Sequence, residues 1–521
     1  MSDNKKIMTR CSGFPVWVGY LLTAVVCVGL TLLFSPDPYE AGTRAYDTVS
    51  HDTGDVVSGG GSASEVMQDG ISEGSRDGTS EGPRGDISEG SRDSTSEGPR
   101  GDISVDSQGG ISEGSRGSRN VFGENGRITF IDNWFMDTRV KFVLDGIWHR
   151  MGNLNEILDT VGRIRHTSEL SWFREWYKTA ERIRRIGDQC LEKGHKISAG
   201  EAYLRAANYY LTAEVMLHTN PDDPRIAETY RKGGEYFTKA MELLSMQAEE
   251  VLIPYEGISI KGYFFRTNSS GKAPILLVHQ GYDAPVEATK HIAEEAVRRG
   301  YHCLLFEGPG QGMTIRGQNI PLRADWENVV SPVIDYALTD PGVDEDNIIL
   351  MGISMGGGFA VRAAAFEPRL KLCIVNPGYV NIYGIISDYL TPELINLYEE
   401  DPQAFNEKIE EIAGYEVGIR WGIYHGMWVF GADTPSGFLD NVKKFDYTDI
   451  IGKIRCRMLV MDGTSEQWGK GQARELYDML DCQKEYMLFT EEDSASEHCQ
   501  VGAGAIATQR MFDWLDENLR Q

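Results

Sequence analysis

The sequence contains no CxxC pair and no alternation of cysteine with histidine at metal-ligand spacing. Its eight cysteines, Cys11, Cys27, Cys190, Cys303, Cys373, Cys456, Cys482 and Cys499, are scattered. That pattern excludes the zinc-finger and zinc-ribbon arrangements, and neither a metal nor a cofactor is expected. Cys303 and Cys373 fall inside apolar runs and are expected to be small buried hydrophobes. Positive charge is also scarce: 51 Lys and Arg stand against 78 Asp and Glu, a formal net charge of −27 with a pI near 4.8. Such a chain repels a polyphosphate before local contacts form, which excludes nucleic acid as a partner. A small molecule is the expected ligand, and a homodimer is a compatible assembly.

Charge is missing altogether from residues 14–34 (FPVWVGYLLTAVVCVGLTLLF), 21 residues whose helical length matches the hydrocarbon core of a bilayer. The run exceeds the apolar core of a signal peptide, and no small-x-small cleavage site follows it. It predicts a transmembrane helix. Lys5, Lys6 and Arg10 before it and Asp37 and Glu40 after it then place residues 1–13 in the cytosol and the remainder in a lumen or outside. Aromatic residues are nearly absent from residues 35–122, which are rich in Gly, Ser, Asp and Glu. This stretch contains a 16-residue repeat, GDISEGSRDSTSEGPR, with Ile71, Ile87 and Ile103 in equivalent places. This composition cannot bury enough apolar surface to offset chain entropy and predicts a flexible stalk.

Two folded regions are expected beyond the stalk. Residues 123–250 repeat apolar positions every three or four residues, as in LSWFREWYKTAERIRRIGDQCL and SAGEAYLRAANYYLTAEVML. They predict a helical domain of about five helices with Trp and Tyr in its core. Residues 251–521 alternate short β-branched runs with helical stretches. Strands are expected at 258–266, 273–280, 302–307, 347–354, 370–377, 457–463 and 484–490. Runs apolar throughout and separated by helices indicate an α/β domain with a mostly parallel sheet buried on both faces. The spacing breaks at 378–450, where helical and aromatic sequence reads as an inserted lid, expected to shape the pocket.

The pattern GxSxG occurs four times. Three copies, at 70–74, 78–82 and 110–114, lie in the repeat, where no strand or helix can hold a strained turn. The fourth, Gly352-Ile353-Ser354-Met355-Gly356, follows the strand-like NIILM and precedes the helix-like GGGFAVRAAAFE. That is the setting of a nucleophile elbow and makes Ser354 the candidate nucleophile of an α/β-hydrolase fold. Serine needs a base, and in this fold the chain order is Ser, acid, His, with the histidine after the last strand. His498 fits that place. His302 reads as a satisfied core histidine, and His149, His166, His195 and His218 as positions on surface-like helical sequence. The acid belongs just beyond strand 457–463, where Glu466 and Asp462 compete; Glu466 is favoured because it has the loop freedom to reach the imidazole, with Asp462 as an anchor of the loop itself. Two N–H donors are needed for an oxyanion: Met355, after the nucleophile, and Gly281 or Tyr282, in the loop after strand 273–280. Asp283 in that loop is either a solvated turn residue or an acid beside the scissile group.

Together with Ser354, the segments FEGPGQG (306–312), SEHC (496–499), GEAYLRAANYYLTAE, RWGIYHGMWVFG and SEQWGKGQARELYDML make residues 130–521 resemble an α/β-hydrolase subfamily. It includes dihydroxypseudooxynicotine hydrolase and the fungal polyketide-shortening hydrolases of pigment synthesis. The resemblance implies an eight-stranded-type sheet, with Ser354 as nucleophile and His498 as histidine. Glu466 stands where the family usually has aspartate. It also implies that Asp283 takes the place of a glutamate used near a substrate ketone, one methylene shorter here. The implied reaction is hydrolysis of a carbon–carbon bond next to a carbonyl, although the same residues cleave esters. A catalytically idle binding module displayed on the stalk, or a peptidase of the same fold, are the competing readings.

Overall fold

The computed structural model of the protein describes residues 128–165 and 168–519. The expected tail, the apolar helix at 14–34 and the stalk at 35–122 lie outside the described residues, as does His166. Among the described residues no helix is long and apolar enough to cross a membrane. This corrects the expected single-pass placement with a lumenal or extracellular catalytic domain.

The first described region is built from the helices Trp134–Asp145, Leu154–Val161, Glu169–Glu192, Lys196–Glu214 and Pro224–Leu243. Local sequence starts them. Asn133 Oδ1 accepts the N–H of Met136, Ser168 Oγ that of Ser171, and Asp223 Oδ1 that of Arg225 just after Pro224 has opened its helix. Along Glu169–Glu192 the buried residues Trp172, Trp176, Thr179, Ala180 and Ile183 recur at three- and four-residue steps. They meet Tyr209 and Tyr210 of Lys196–Glu214 in a separate core. The Trp172 indole also donates to Thr212 O at 2.8 Å, satisfying its buried N–H.

Eight strands form one sheet: β1 (Ala248–Tyr255), β2 (Ile258–Phe265), β3 (Ala273–His279), β4 (His302–Phe306), β5 (Val343–Ile353), β6 (Leu370–Asn376), β7 (Arg457–Gly463) and β8 (Lys484–Phe489). Their spatial order is β1-β2-β4-β3-β5-β6-β7-β8, antiparallel for β1, β2 and β4 and parallel from β4 onward. Both faces are covered. On β5, Ile348 and Leu350 enter one core while Ile349, Met351 and Ile353 enter the other. Strand β1 is additional to the seven expected. Only Val251, Ile253 and Tyr255 face inward from AEEVLIPY, and its charged beginning continues the polar rhythm of the preceding helix. The helical region accordingly stops at Leu243, short of the expected boundary at 250.

Three further expectations are corrected. His149 and His218 are buried rather than on the surface, because the faces they occupy pack against the sheet domain and the inserted helices. The insertion between β6 and β7, with helices such as Pro402–Tyr415 and Val417–Phe430, packs its Phe405, Val429 and Phe430 into the sheet's core and its Trp421 into the helical core. It contributes no residue to the wall of the cavity that holds Ser354; that wall comes from the helical region.

Candidate active site

Ser354 sits between the end of β5 and the helix Gly356–Phe366 with φ of +58°, a left-handed conformation that costs a serine energy and is held by its surroundings. Its N–H donates to Asn376 O at 2.7 Å. The strain falls on the serine itself; the motif's glycines serve close approach. A Cβ on Gly352 would lie 2.0 Å from Gly356 O, so no larger residue fits under this turn.

His498 follows β8 in a short turn in which Cys499 and Gln500 also take positive φ. Its Nε2 lies 3.0 Å from Ser354 Oγ and its Nδ1 2.7 Å from Glu466 Oε2. Backbone bonds tie together the two loops that carry the histidine and the acid: Thr464 N–H to Phe489 O and Ser465 N–H to Ser496 O. The second Glu466 oxygen accepts the N–H of Trp468 at 2.8 Å. Burial pushes the Glu466 carboxyl up, but the His498 ring outweighs it, and the group lies below its ordinary range. For His498 burial disfavours the charged ring, while the Cys499 sulfur and Glu466 overcome burial and raise the imidazole well above its usual value. Asp462 is engaged elsewhere: it accepts from its neighbour Gly463 N–H and from Tyr486 O–H at 2.6 Å, and burial raises its carboxyl.

Two neighbours of this chain were not anticipated from sequence. Cys499 Sγ donates to Asn376 O and lies 3.3 Å from His498 Nε2. Gln311, in the FEGPGQG segment, is buried and grips the loop after β3: its Nε2 donates to the carbonyls of Gln280 and Gly281, the latter at 2.9 Å, while its Oε1 accepts Gly308 N–H. Gln311 thereby fixes the loop beside the elbow. Gly281 packs directly on it, for a Cβ there would lie 2.5 Å from Met355 N. The Met355 N–H has no protein acceptor among the described residues. Tyr282 is fixed by its O–H, which donates to Gly422 O at 2.9 Å, and by its carbonyl, 3.2 Å from His425 Nε2.

Asp283 is neither a solvated turn residue nor a free acid. It forms an ion pair with Arg139 of the helix Trp134–Asp145, whose guanidinium lies over the rings of Trp421 and Phe135 at 4.7 and 4.8 Å. Nothing in the sequence joined residues 144 apart; the apolar-periodic pattern around Arg139 reads as an ordinary helix with one polar face. Ser354, His498, Gly281, Tyr282, Asp283 and Arg139 all line one cavity of about 200 Å³.

A family model described as "Esterase FrsA-like" matches residues 149–392. Hydrolase LUC6 of Fusarium sp is 30% identical over 382 residues, covering 70% of this chain and 91% of its own length. The 20-hydroxy-prefusarin hydrolase FUS2 of Gibberella moniliformis is 30% identical over 383 residues with the same coverage. The chain belongs to this α/β-hydrolase subfamily. Among solved structures, that of 2,6-dihydroxy-pseudo-oxynicotine hydrolase is similar with a TM-score of 0.57, 23% identity, and coverage of 72% of this chain and 94% of its own; that likeness carries the fold. The protein is thus an α/β-fold hydrolase.

Proposed function

We propose that this hydrolase acts through an acyl-enzyme on Ser354, cleaving a carbon–carbon bond next to a carbonyl in a small, polyketide-like substrate. The observation that carries the reading is the unbroken chain from Glu466 through His498 to Ser354 Oγ, which opens into the cavity. In this reading His498 Nε2 takes the serine proton as Oγ attacks the substrate carbonyl, and Glu466 holds Nδ1–H and stabilises the imidazolium. The oxyanion is received by the Met355 N–H and by the N–H of Gly281 or Tyr282. Gln311 does not touch substrate; it positions that loop.

What favours carbon–carbon over ester cleavage is the Arg139–Asp283 pair. An ester's alkoxide needs only the proton on His498, whereas a carbon leaving group departs as an enolate whose negative oxygen requires a fixed donor. Arg139 supplies five N–H donors, and Asp283 keeps its guanidinium in place. The enolate carbon then takes the His498 proton, and water, deprotonated by the same ring, releases the acid. That a relative is named a 20-hydroxy-prefusarin hydrolase fits a polyketide-like substrate. The test is turnover of β-diketones, aryl ketones and short esters with identification of products. Release of a carboxylic acid and a ketone from a β-diketone, with acyl transfer lost in Ser354→Ala, is the expected outcome; ester cleavage alone would leave only the coarser esterase reading.

A further inference from the structure

The same cavity runs past the reacting end. From Ser354 it continues along β5, whose Ile353 and Met351 point into it, between Leu211 of the helical region and Met461 and Met511 of the sheet domain. That stretch is apolar. It also meets His149, from the turn after Trp134–Asp145, and His291, near the start of the helix Lys290–Arg298, whose rings lie 4.8 Å apart beside the indole of Trp148. His149 is 8% exposed, and its Nδ1 is sealed off from the cavity, so Nε2 is the atom its ring offers to a ligand. Among the described residues neither that nitrogen nor Nε2 of His291 has a hydrogen-bond partner, and polar atoms turned into an apolar cavity call for one.

The protonation of the pair narrows what that partner can be. His291 Nδ1 lies 3.2 Å from Ala288 O, so it must carry the proton and donate, which leaves Nε2 as an acceptor. Burial pushes His149 down to about 2, helped by His291 and Lys290, and His291 down to about 4. Both rings are therefore neutral at physiological pH and offer no positive charge to an anion. A group able both to donate and to accept satisfies them in either tautomer of His149. A carbonyl, which only accepts, does not.

We infer that His149 and His291 form a second recognition point in the substrate cavity, which receives a neutral hydroxyl group on the part of the substrate remote from the scissile bond. The inference rests on the hydrolase reading of this cavity and adds to it the substrate class: an apolar body with a carbonyl at one end and a hydroxyl at the other. A site built to bond a hydroxyl rejects the analogue that lacks it, because its own polar atoms are then stranded.

The experiment uses the full chain, with benzoylacetone and its ring-hydroxylated and ring-aminated analogues as probes. For wild-type protein, KM for the hydroxylated diketone is expected to be at least tenfold below that for benzoylacetone, and in His149→Phe and His291→Phe this ratio falls to near one. A variant that merely loosens the fold raises both values and leaves the ratio intact, which would overturn the inference, as would a wild-type ratio near one. Preference for the aminated probe would transfer the role to Asp145, which also lines the cavity, and overturn it too. Calorimetric binding of the same probes to Ser354→Ala reads the recognition point without turnover. If wild type cleaves no diketone yet Ser354→Ala still binds the hydroxylated one at least tenfold more tightly, the reaction reading falls and this one stands.

Discussion

The two sides of the cavity differ in how they are made. On the sheet side, Ser354, Glu466 and His498 stand at the ends of β5, β7 and β8, and short backbone bonds between neighbouring loops bring them together. On the helical side, Arg139 and His149 come from a region with its own core, which reaches the cavity by packing residues such as Tyr203 and Phe237 onto one face of the sheet. Under the proposed function this is a division of labour: the sheet side would hold the reacting atoms, and the helical side would decide what is presented to them. Substitutions on the two sides are therefore expected to fail differently.

The largest effects belong to the sheet side. Ser354→Ala and His498→Ala should each lower kcat by about 10⁴–10⁶ with an unchanged melting temperature, since neither side chain is a large part of a core. Glu466→Gln should cost about 10³–10⁴ in kcat with a smaller change in KM, because an amide cannot hold the imidazolium. Asp462→Asn should instead lower stability by about 1 kcal/mol through its bond to Tyr486, with turnover nearly kept. Kinetics and melting curves on the two variants separate them; a crippled Asp462→Asn beside a normal Glu466→Gln would reverse the roles.

The helical side sharpens the contrast. Arg139→Met should reduce β-diketone cleavage by about 10²-fold while ester turnover falls much less, because only the enolate needs the guanidinium. Equal losses on both substrates would return Arg139 to a packing role. Gln311→Met, on the sheet side but outside the reacting set, should lower kcat by roughly 10–10² with KM little changed, the mark of a misaligned oxyanion loop. The smallest effect is a shift in pH dependence. Under the proposed function the base is neutral His498, whose imidazole is raised, so the ascending limb of kcat/KM should lie above the ordinary histidine value near 6.5. In Glu466→Gln the imidazolium loses its carboxylate and the limb should move to lower pH; a pH–rate profile of the residual activity reads it.

The legibility of the molecule follows the same division. The elbow was readable because its glycines and flanking strand and helix are contiguous, and chain order then pointed to His498 and to a carboxylate after β7. What local sequence could not separate was Glu466 from Asp462, since both lie near the end of one strand, Asp462 inside it and Glu466 just beyond; the difference lies in Tyr486 and Gly463 occupying Asp462. The inner parallel strands β3, β4 and β6 were legible as mostly apolar runs, whereas β1 was not, being an edge strand with one solvated face. Arg139, His149 and Gln311 were hidden for a different reason: each acts through a partner more than 30 residues away, and an arginine on a helix or a glutamine in a Gly-rich turn has no local signature. The role expected of the insertion at 378–450 passed to the helical region for the same cause, since packing between regions leaves no periodicity in either.

The central claim, that Ser354 is the atom acylated, is tested most directly by locating the adduct of a fluorophosphonate probe by peptide mass spectrometry. A single adduct on Ser354, formed at a rate that falls sharply in His498→Ala, is the predicted result. An adduct on Cys499, whose sulfur also lies beside His498 Nε2, or undiminished labelling of the Ser354→Ala protein, would contradict it.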